Sequence, residues 1–273
     1  MTIIKNQSDL DDMRLACQGA AKVLDFITPY VQEGITTAEL DKLCLEYITE
    51  TLKAKSATIG YGNPPFPSSI CTSINHQVCH GIPSNKKLKK GDILNIDVTI
   101  IKNGWFGDTS RMFYVGEVSI LAKHLSMISY ECMWKGIEKV KNGAYLGDIG
   151  HAIQQHAEKS GFSVVREFCG HGLGKNFHEE PQVLHYGTPK TQMKIFTGLL
   201  FTIEPMINAG KKEISHLNDG WTVITKDRSL SAQWEHAILV KDSGCEVLTI
   251  SANMPKIPNF ISSNKNITFS SLL

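Results

Sequence analysis

No Cys-x-x-Cys pair occurs among the seven scattered cysteines, and their number is odd. Both facts argue against a disulfide framework. No secretory leader opens the sequence, so a reducing cytoplasm is the expected compartment. Without secretion, Asn266-Ile267-Thr268 is a chance match to a glycosylation acceptor. No apolar run approaches the roughly 18 residues that a membrane span requires. Charge of one sign is also scarce: 28 basic against 27 acidic residues leave +1. That balance gives no bulk electrostatic case for nucleic acid or an anionic membrane. The short cluster Lys86, Lys87, Lys89 and Lys90 reads as a solvated turn before a strand.

What is present is an ordinary globular composition, 42% hydrophobic and 20% charged, over 273 residues. The length fits one large domain or two pseudo-repeated halves. A repeat is visible. Gly91-Asp92-Ile93-Leu94-Asn95-Ile96-Asp97 places an acid six residues after a glycine, and Gly198-Leu199-Leu200-Phe201-Thr202-Ile203-Glu204 does the same. A second acid follows each, Asp108 and Glu235, with a Gly-Trp pair between (Gly104-Trp105 and Gly220-Trp221). The helical pattern repeats as well. Leu10, Met13, Cys17, Ala20, Leu24, Ile27 and Val31 mark a helix ending before Gly34, and Thr36 or Thr37 caps a second. Leu121, Leu125, Ile128, Cys132 and Val140 mark a third, ending before Gly143. A fourth runs through Ile149, Ala152, Ile153 and His156 to Gly161. The offset between halves is 109 residues from Gly34 to Gly143 and 107 from Gly91 to Gly198.

Each half therefore reads helix, helix, antiparallel strands. The expectation is an α+β sandwich with a pseudo-two-fold axis and a central site. One catalytic domain spans 1–253, with halves at about 9–115 and 121–249. Beyond Met254 the periodicity stops, and residues 254–273 are expected to be a loosely structured extension.

A buried carboxylate without a partner costs several kcal/mol or takes up a proton. Asp97 and Asp108 lie eleven residues apart across a Gly104 turn, so strand alternation can aim both at one face. With Glu204 and Glu235 they suggest multivalent cations at the seam. His171, in Cys169-Gly170-His171-Gly172-Leu173-Gly174, is a natural imidazole partner, and His178 and His80 are further candidates. His124, His151, His156, His185 and His216 read as structural. Four carboxylates and one imidazole are too acidic for a closed structural zinc site. They suit a pair of divalent ions about 3.5–4 Å apart that activates water and polarises a carbonyl, as in amide or phosphate hydrolysis.

At these residues the sequence closely resembles the type I, bacterial-type methionine aminopeptidases, the pita-bread metallopeptidases of family M24. The resemblance runs from about Asp9 to Thr249 and is carried by specific motifs. These are Cys-His-Gly-Ile-Pro at 79–83, Asn-Ile-Asp-Val-Thr at 95–99, Gly-Asp-Thr-Ser at 107–110 and Gly-His-Gly-Leu-Gly at 170–174. Phe-His-Glu-Glu-Pro at 177–181, Thr-Ile-Glu-Pro-Met at 202–206 and Ser-Ala-Gln-Trp-Glu-His at 231–236 continue it. The resemblance implies the pita-bread fold and removal of the initiator methionine from nascent chains with a small second residue, by dimetal-activated hydroxide. It implies that Asp97, Asp108, His171, Glu204 and Glu235 bind two divalent ions (Co, Mn, Fe, Ni or Zn), with Asp108 and Glu235 bridging. Glu204 would also handle the proton of the attacking hydroxide, His178 would contact the scissile carbonyl and His80 the scissile amide. Tyr61, Phe66, Cys71, Phe177 and Trp221 would line the methionine pocket, where a thioether packs well on aromatic edges and sulfur. A monovalent cation on backbone carbonyls near Asn75, Gln77 and Ser231, a monomeric state and a transient ribosome contact are further implications.

The chain departs from the family pattern in three places: His76 stands where Glu is usual, Phe106 where His is common, and the Asn63-Pro64-Pro65 loop is unusual. None touches an expected ligand, so pocket shape and activity level are what they affect. Neither a zinc-finger extension nor a long insertion between His178 and Glu204 is present, which favours the bacterial-type form. Two rivals share the fold. Proline-directed aminopeptidases or dipeptidases generally carry an extra amino-terminal domain, whereas the first helix here starts almost at Met1. Non-enzymatic relatives lose metal ligands, and this chain keeps all five.

Overall fold

The computed structural model of the protein describes residues 1–270. Helix α1 (Gln7–Ile27) begins where the Asn6 side chain accepts the Asp9 N–H. Its stripe of Met13, Cys17, Ala20, Leu24 and Ile27 is buried against the first sheet. The stripe ends at Ile27 rather than Val31. Pro29 has no N–H for the helix ladder, and Thr28–Tyr30 tightens into a 3-10 turn. Helix α2 (Thr37–Glu46) opens with a capping box between Thr36 and Glu39 and runs on into a π turn at Tyr47–Thr51. In the second half, α3 (Ile120–Ile137) is capped by Ser119, and α4 (Leu146–Lys159) starts where the Asp148 side chain accepts the Tyr145 N–H.

The first sheet is built on the hairpin Ile93–Lys102 and Trp105–Tyr114, flanked by Cys71–Ile74 and Lys55–Ser56. Asn103 and Gly104 close the hairpin at φ 51° and 76°, the two positive values that a tight turn matched to strand twist demands. The second sheet has six strands, in the order Ile267–Phe269, Gly244–Val247, His236–Lys241, Leu200–Ile203, Gly170–Gly172 and Glu179–Val183. Helix α1 packs on the first hairpin, and α3 packs on α4 and on Ser231–Gln233. The sheets meet where the strands Trp105–Tyr114 and His236–Lys241 touch. The expected α+β architecture is observed, and among the described residues two small three-stranded sheets complete it, Ser231–Gln233 with Met206–Asn208 and Ser163–Val164, and Ile214–His216 with Val223–Thr225 and Gln77–Cys79.

The segment expected to be a loosely structured extension carries more order than that. Residues 259–262 form a short helix, α5, and Ile267–Phe269 pairs in parallel with Gly244–Val247. Ile261 and Ile267 are buried in the main core, and Phe269 meets Trp134 edge-on. The physical reason is an open sheet edge: the backbone groups of Gly244–Val247 need partners, and a three-residue strand supplies them. Residues 271–273 of that extension lie outside the described residues.

Candidate metal centre

The hairpin register decides where the first two acids point. Asp97 stands opposite Ser110, and Asp108 opposite Thr99. Residues 97 and 99 share one face of their strand, so Asp97 and Asp108 project from the same side of the hairpin. The other three come from the second sheet and the segments that adjoin it. His171 lies in Gly170–Gly172, Glu204 directly follows Leu200–Ile203, and Glu235 sits between Ser231–Gln233 and His236–Lys241. Glycine on both sides of His171 is a packing necessity. A Cβ on Gly170 would overlap the Thr202 carbonyl, and one on Gly172 the Glu180 carbonyl.

These elements bring all five candidate ligands to one cavity of about 470 Å³. Single donor atoms of Asp108, His171 and Glu235 lie within 4.8 Å of one another. His171 Nε2 is 3.5 Å from Asp108 Oδ2 and 3.5 Å from Glu204 Oε1. Neighbouring side chains orient the acids: Thr99 Oγ1 donates to Asp108 Oδ1 at 2.8 Å, and Gln233 Nε2 donates to Glu204 Oε2 at 3.2 Å. The Glu204 N–H, which falls in the gap between two strands, donates to His185 Nε2 at 3.2 Å.

The electrostatics describe a set of acids in need of a cation. Burial, then the charges of Asp108 and Glu204, pushes the Asp97 carboxyl well above the usual carboxylate range. The same three influences raise Glu235. Burial and Asp108 outweigh the attraction of His171 and bring Glu204 to about 7. Burial opposes a charge on His171, yet the hydrogen bond to Asp108 and the charge of Glu204 raise it to about 9. Four carboxylates cannot share one buried cavity as anions without a positive charge among them. This conflict and the oxygen-rich donor set fit hard or borderline divalent ions, not a thiolate-built structural zinc. His178 and His80, by contrast, are pushed down to about 4, in both cases chiefly by burial. They face the centre as neutral imidazoles.

The remaining expected pocket residues also line this cavity: Tyr61, Phe66, Cys71, His80, Phe177, His178 and Trp221. Tyr61 lies 4.8 Å from Phe177, and Phe66 meets Trp221 edge-on at 5.2 Å. At the expected monovalent-cation residues, Ser231 N–H donates to the Asn75 carbonyl at 2.8 Å, while the Gln77 side chain accepts the Ile74 N–H. Of the three departures, Phe106 stacks on Phe177 at 5.9 Å, and His76 faces Arg228 at 3.0 Å. In the unusual loop, Pro64 O accepts from Trp221 Nε1.

Sequence reasoning passed over several lining residues, among them Phe168, Met206 and Gln233. Met206 and Gln233 were inside quoted motifs, which was the available signal. His185, structural by its sequence context, contacts Glu204 through strand pairing that no local pattern encodes.

The sequence matches the metallopeptidase family M24 over residues 11–242. The chain belongs to metallopeptidase family M24. Within this family it is 55% identical to the methionine aminopeptidase of Escherichia coli (strain K12) over 248 residues, covering 90% of this chain and 93% of that protein. The crystal structure of methionine aminopeptidase from Rickettsia prowazekii superposes with a TM-score of 0.89 at 52% identity, covering 92% of this chain and all of that one. The methionine aminopeptidase from Thermotoga maritima gives a TM-score of 0.87 at 37% identity, over 91% and 99% of the two chains. The fold is thus the pita-bread fold of the M24 metallopeptidases, and divalent metal binding follows from membership of the family. No helix among the described residues is long and apolar enough to cross a membrane.

Proposed function

We propose that this chain is a methionine aminopeptidase that releases amino-terminal methionine from nascent chains and peptides whose second residue is small. The observation that carries the reading is the meeting of Asp97, Asp108, His171, Glu204 and Glu235 in one cavity that aromatic and sulfur-bearing side chains also line. Two divalent ions held there would supply Lewis acidity, activating water near neutral pH and polarising a carbonyl. Asp108 and Glu235 would each serve both ions, His171 and Glu204 would complete one site, and Asp97 the other.

The chain's other groups divide the remaining work. Glu204 takes the proton released when water attacks, and Thr202 and Gln233 fix its two oxygens. His178 donates to the oxygen of the scissile carbonyl as charge builds there. His80 contacts the scissile amide. Tyr61, Phe66, Cys71, Phe177 and Trp221 hold the methionine side chain and keep water from it. The carboxylate-rich donor set accepts iron, manganese, cobalt, nickel or zinc, so cellular supply would select the ion. A monomer in the cytoplasm, with a monovalent cation near Asn75, Gln77 and Ser231 and a passing contact with the ribosome, completes the proposal.

Hydrolysis of Met-Gly-type against Xaa-Pro peptides, with and without chelator, tests it. Methionine release that stops on chelation is the expected result. Preferential Xaa-Pro cleavage would reassign the chain to the proline-directed branch of the fold, and no cleavage in metal-replete protein would make it a binding module.

A further inference from the structure

Tyr61 stands at the mouth of the cavity, on the loop from Gly60 to Phe66. The loop is closed from within, by Gly60 N–H to Phe66 O at 2.9 Å and Phe66 N–H to Tyr61 O at 2.8 Å. It is fastened from outside by Trp221 Nε1, which donates to Pro64 O at 2.9 Å. The Tyr61 ring leans on Phe177, and its hydroxyl oxygen lies 2.7 Å from His178 Nδ1. Among the described residues this is the single hydrogen bond made by the His178 ring.

The direction of that bond follows from the two groups. A phenol is a good donor, and an unprotonated imidazole nitrogen is a better acceptor than a phenol oxygen. Tyr61 Oη–H therefore donates to Nδ1. A neutral imidazole carries one ring proton, and with Nδ1 accepting, that proton resides on Nε2. We propose that Tyr61 is a positioning residue that holds His178 in its Nε2–H tautomer, so that the ring offers a donor to the scissile carbonyl oxygen. The opposite tautomer would turn a lone pair toward that oxygen and repel the charge that builds on it. The catalytic use of the tautomer rests on the proposed role of His178; its control by Tyr61 does not.

The arrangement joins two tasks. The loop that forms one wall of the methionine pocket also sets the protonation pattern of the group that stabilises the reacting carbonyl. A ligand that displaces Tyr61 would then lose rate as well as affinity.

The test uses zinc-loaded, ¹⁵N-histidine-labelled protein, in which imidazole nitrogen shifts distinguish the tautomers. His178→Ala assigns the resonances by their disappearance. Tyr61→Phe keeps the ring against Phe177 and deletes the hydroxyl. We expect an Nε2–H signature for His178 in the parent and a shift toward an Nδ1–H mixture in Tyr61→Phe. Turnover of a Met-Ala peptide should fall about five- to tenfold, the worth of one hydrogen bond. KM should stay within about twofold, because a tautomer error affects the transition state and not methionine binding. An Nδ1–H signature in the parent, or an unchanged Nε2–H signature in Tyr61→Phe, overturns the proposal. If the tautomer shifts as expected while His178→Ala turns over like the parent, the donor role of His178 fails and the control exerted by Tyr61 stands.

Discussion

Thr202 Oγ1 donates to Glu204 Oε1 at 2.7 Å, and the same oxygen accepts the His171 N–H at 3.0 Å. One fully buried hydroxyl thus ties two candidate ligands from neighbouring strands to each other. Thr202→Val keeps the shape, removes a donor from Glu204 and leaves the His171 N–H without its partner. Orphaning buried polar groups in this way costs about 1–3 kcal/mol. We expect turnover to fall on the order of tenfold or more, with Thr202→Ser recovering most of it. Turnover and metal stoichiometry measured for both variants check this. A fully active Thr202→Val would show that Glu204 needs no such restraint.

Metal removal should leave a pH signature in stability. In the metal-free protein Glu204 titrates at about 7 instead of 4.5, and His171 at about 9 instead of 6.5. A folded-state pKa that is raised means that the native state holds the proton more tightly. The contribution of each group is therefore complete below its unfolded value and is lost as pH rises through its folded value. For Glu204 the window is 4.5 to about 7, and for His171 it is 6.5 to about 9. Bound cations replace those protons. The melting-temperature gap between metal-loaded and chelated protein should accordingly widen from pH 4.5 to pH 9. Scanning calorimetry across that range, with and without chelator, reads it, and a gap independent of pH would contradict the charge conflict described at the centre. Asp108→Ala and Glu235→Ala should each abolish turnover with little change in circular dichroism.

Gly62 lies at φ 76°, and a Cβ there would overlap the Trp221 ring. Gly62→Ala should push the loop off Trp221 and spoil the pocket wall built by Phe66 and Tyr61. A non-glycine residue in the left-handed region adds about 1–2 kcal/mol of backbone cost. The expected result is a rise in KM for Met-Ala peptides of on the order of tenfold, with global stability reduced by no more than the backbone cost. Peptide kinetics and a denaturant titration separate the two effects.

The sequence made the two halves legible because helical spacing and glycine stops are local signals: Met13, Cys17 and Leu24 face the core as their spacing requires, and Gly34 and Gly143 both adopt positive φ at the ends of their patterns. The acids were legible because Asp97 and Glu204 each interrupt an apolar run six residues after a glycine, where an unpaired carboxylate demands a reason. The supports of the site were not. Thr202, His185 and Thr99 acquire their partners through strand register, which no single segment encodes. The strand Ile267–Phe269 escaped notice for a related reason. Three residues carry too little alternation to read, and their pairing is imposed by the open edge of Gly244–Val247.

That edge also holds a buried carboxylate with four donors. Glu246 receives Arg14 Nε and Nη2 at 2.8 Å each, Lys241 Nζ at 2.8 Å and Ser270 Oγ at 2.7 Å. One buried carboxylate so links α1, the second sheet and the carboxy-terminal segment. Burial alone would raise its pKa, but the bonds from Arg14, Lys241 and Ser270 prevail and hold it at about 2. A depressed folded-state pKa stabilises the native state fully above the unfolded value, 4.5, and that stability is lost as pH falls through about 2. Glu246→Gln removes the charge while keeping the shape. Breaking a buried pair costs about 3–5 kcal/mol, and the partial exposure of Arg14 and Lys241 brings the expected loss nearer 2 kcal/mol. Thermal melts of parent and variant should differ most near neutral pH and converge between pH 4.5 and pH 2. A constant difference down to pH 2 would mean that packing of the carboxy-terminal segment, and not the charge of Glu246, holds this corner together.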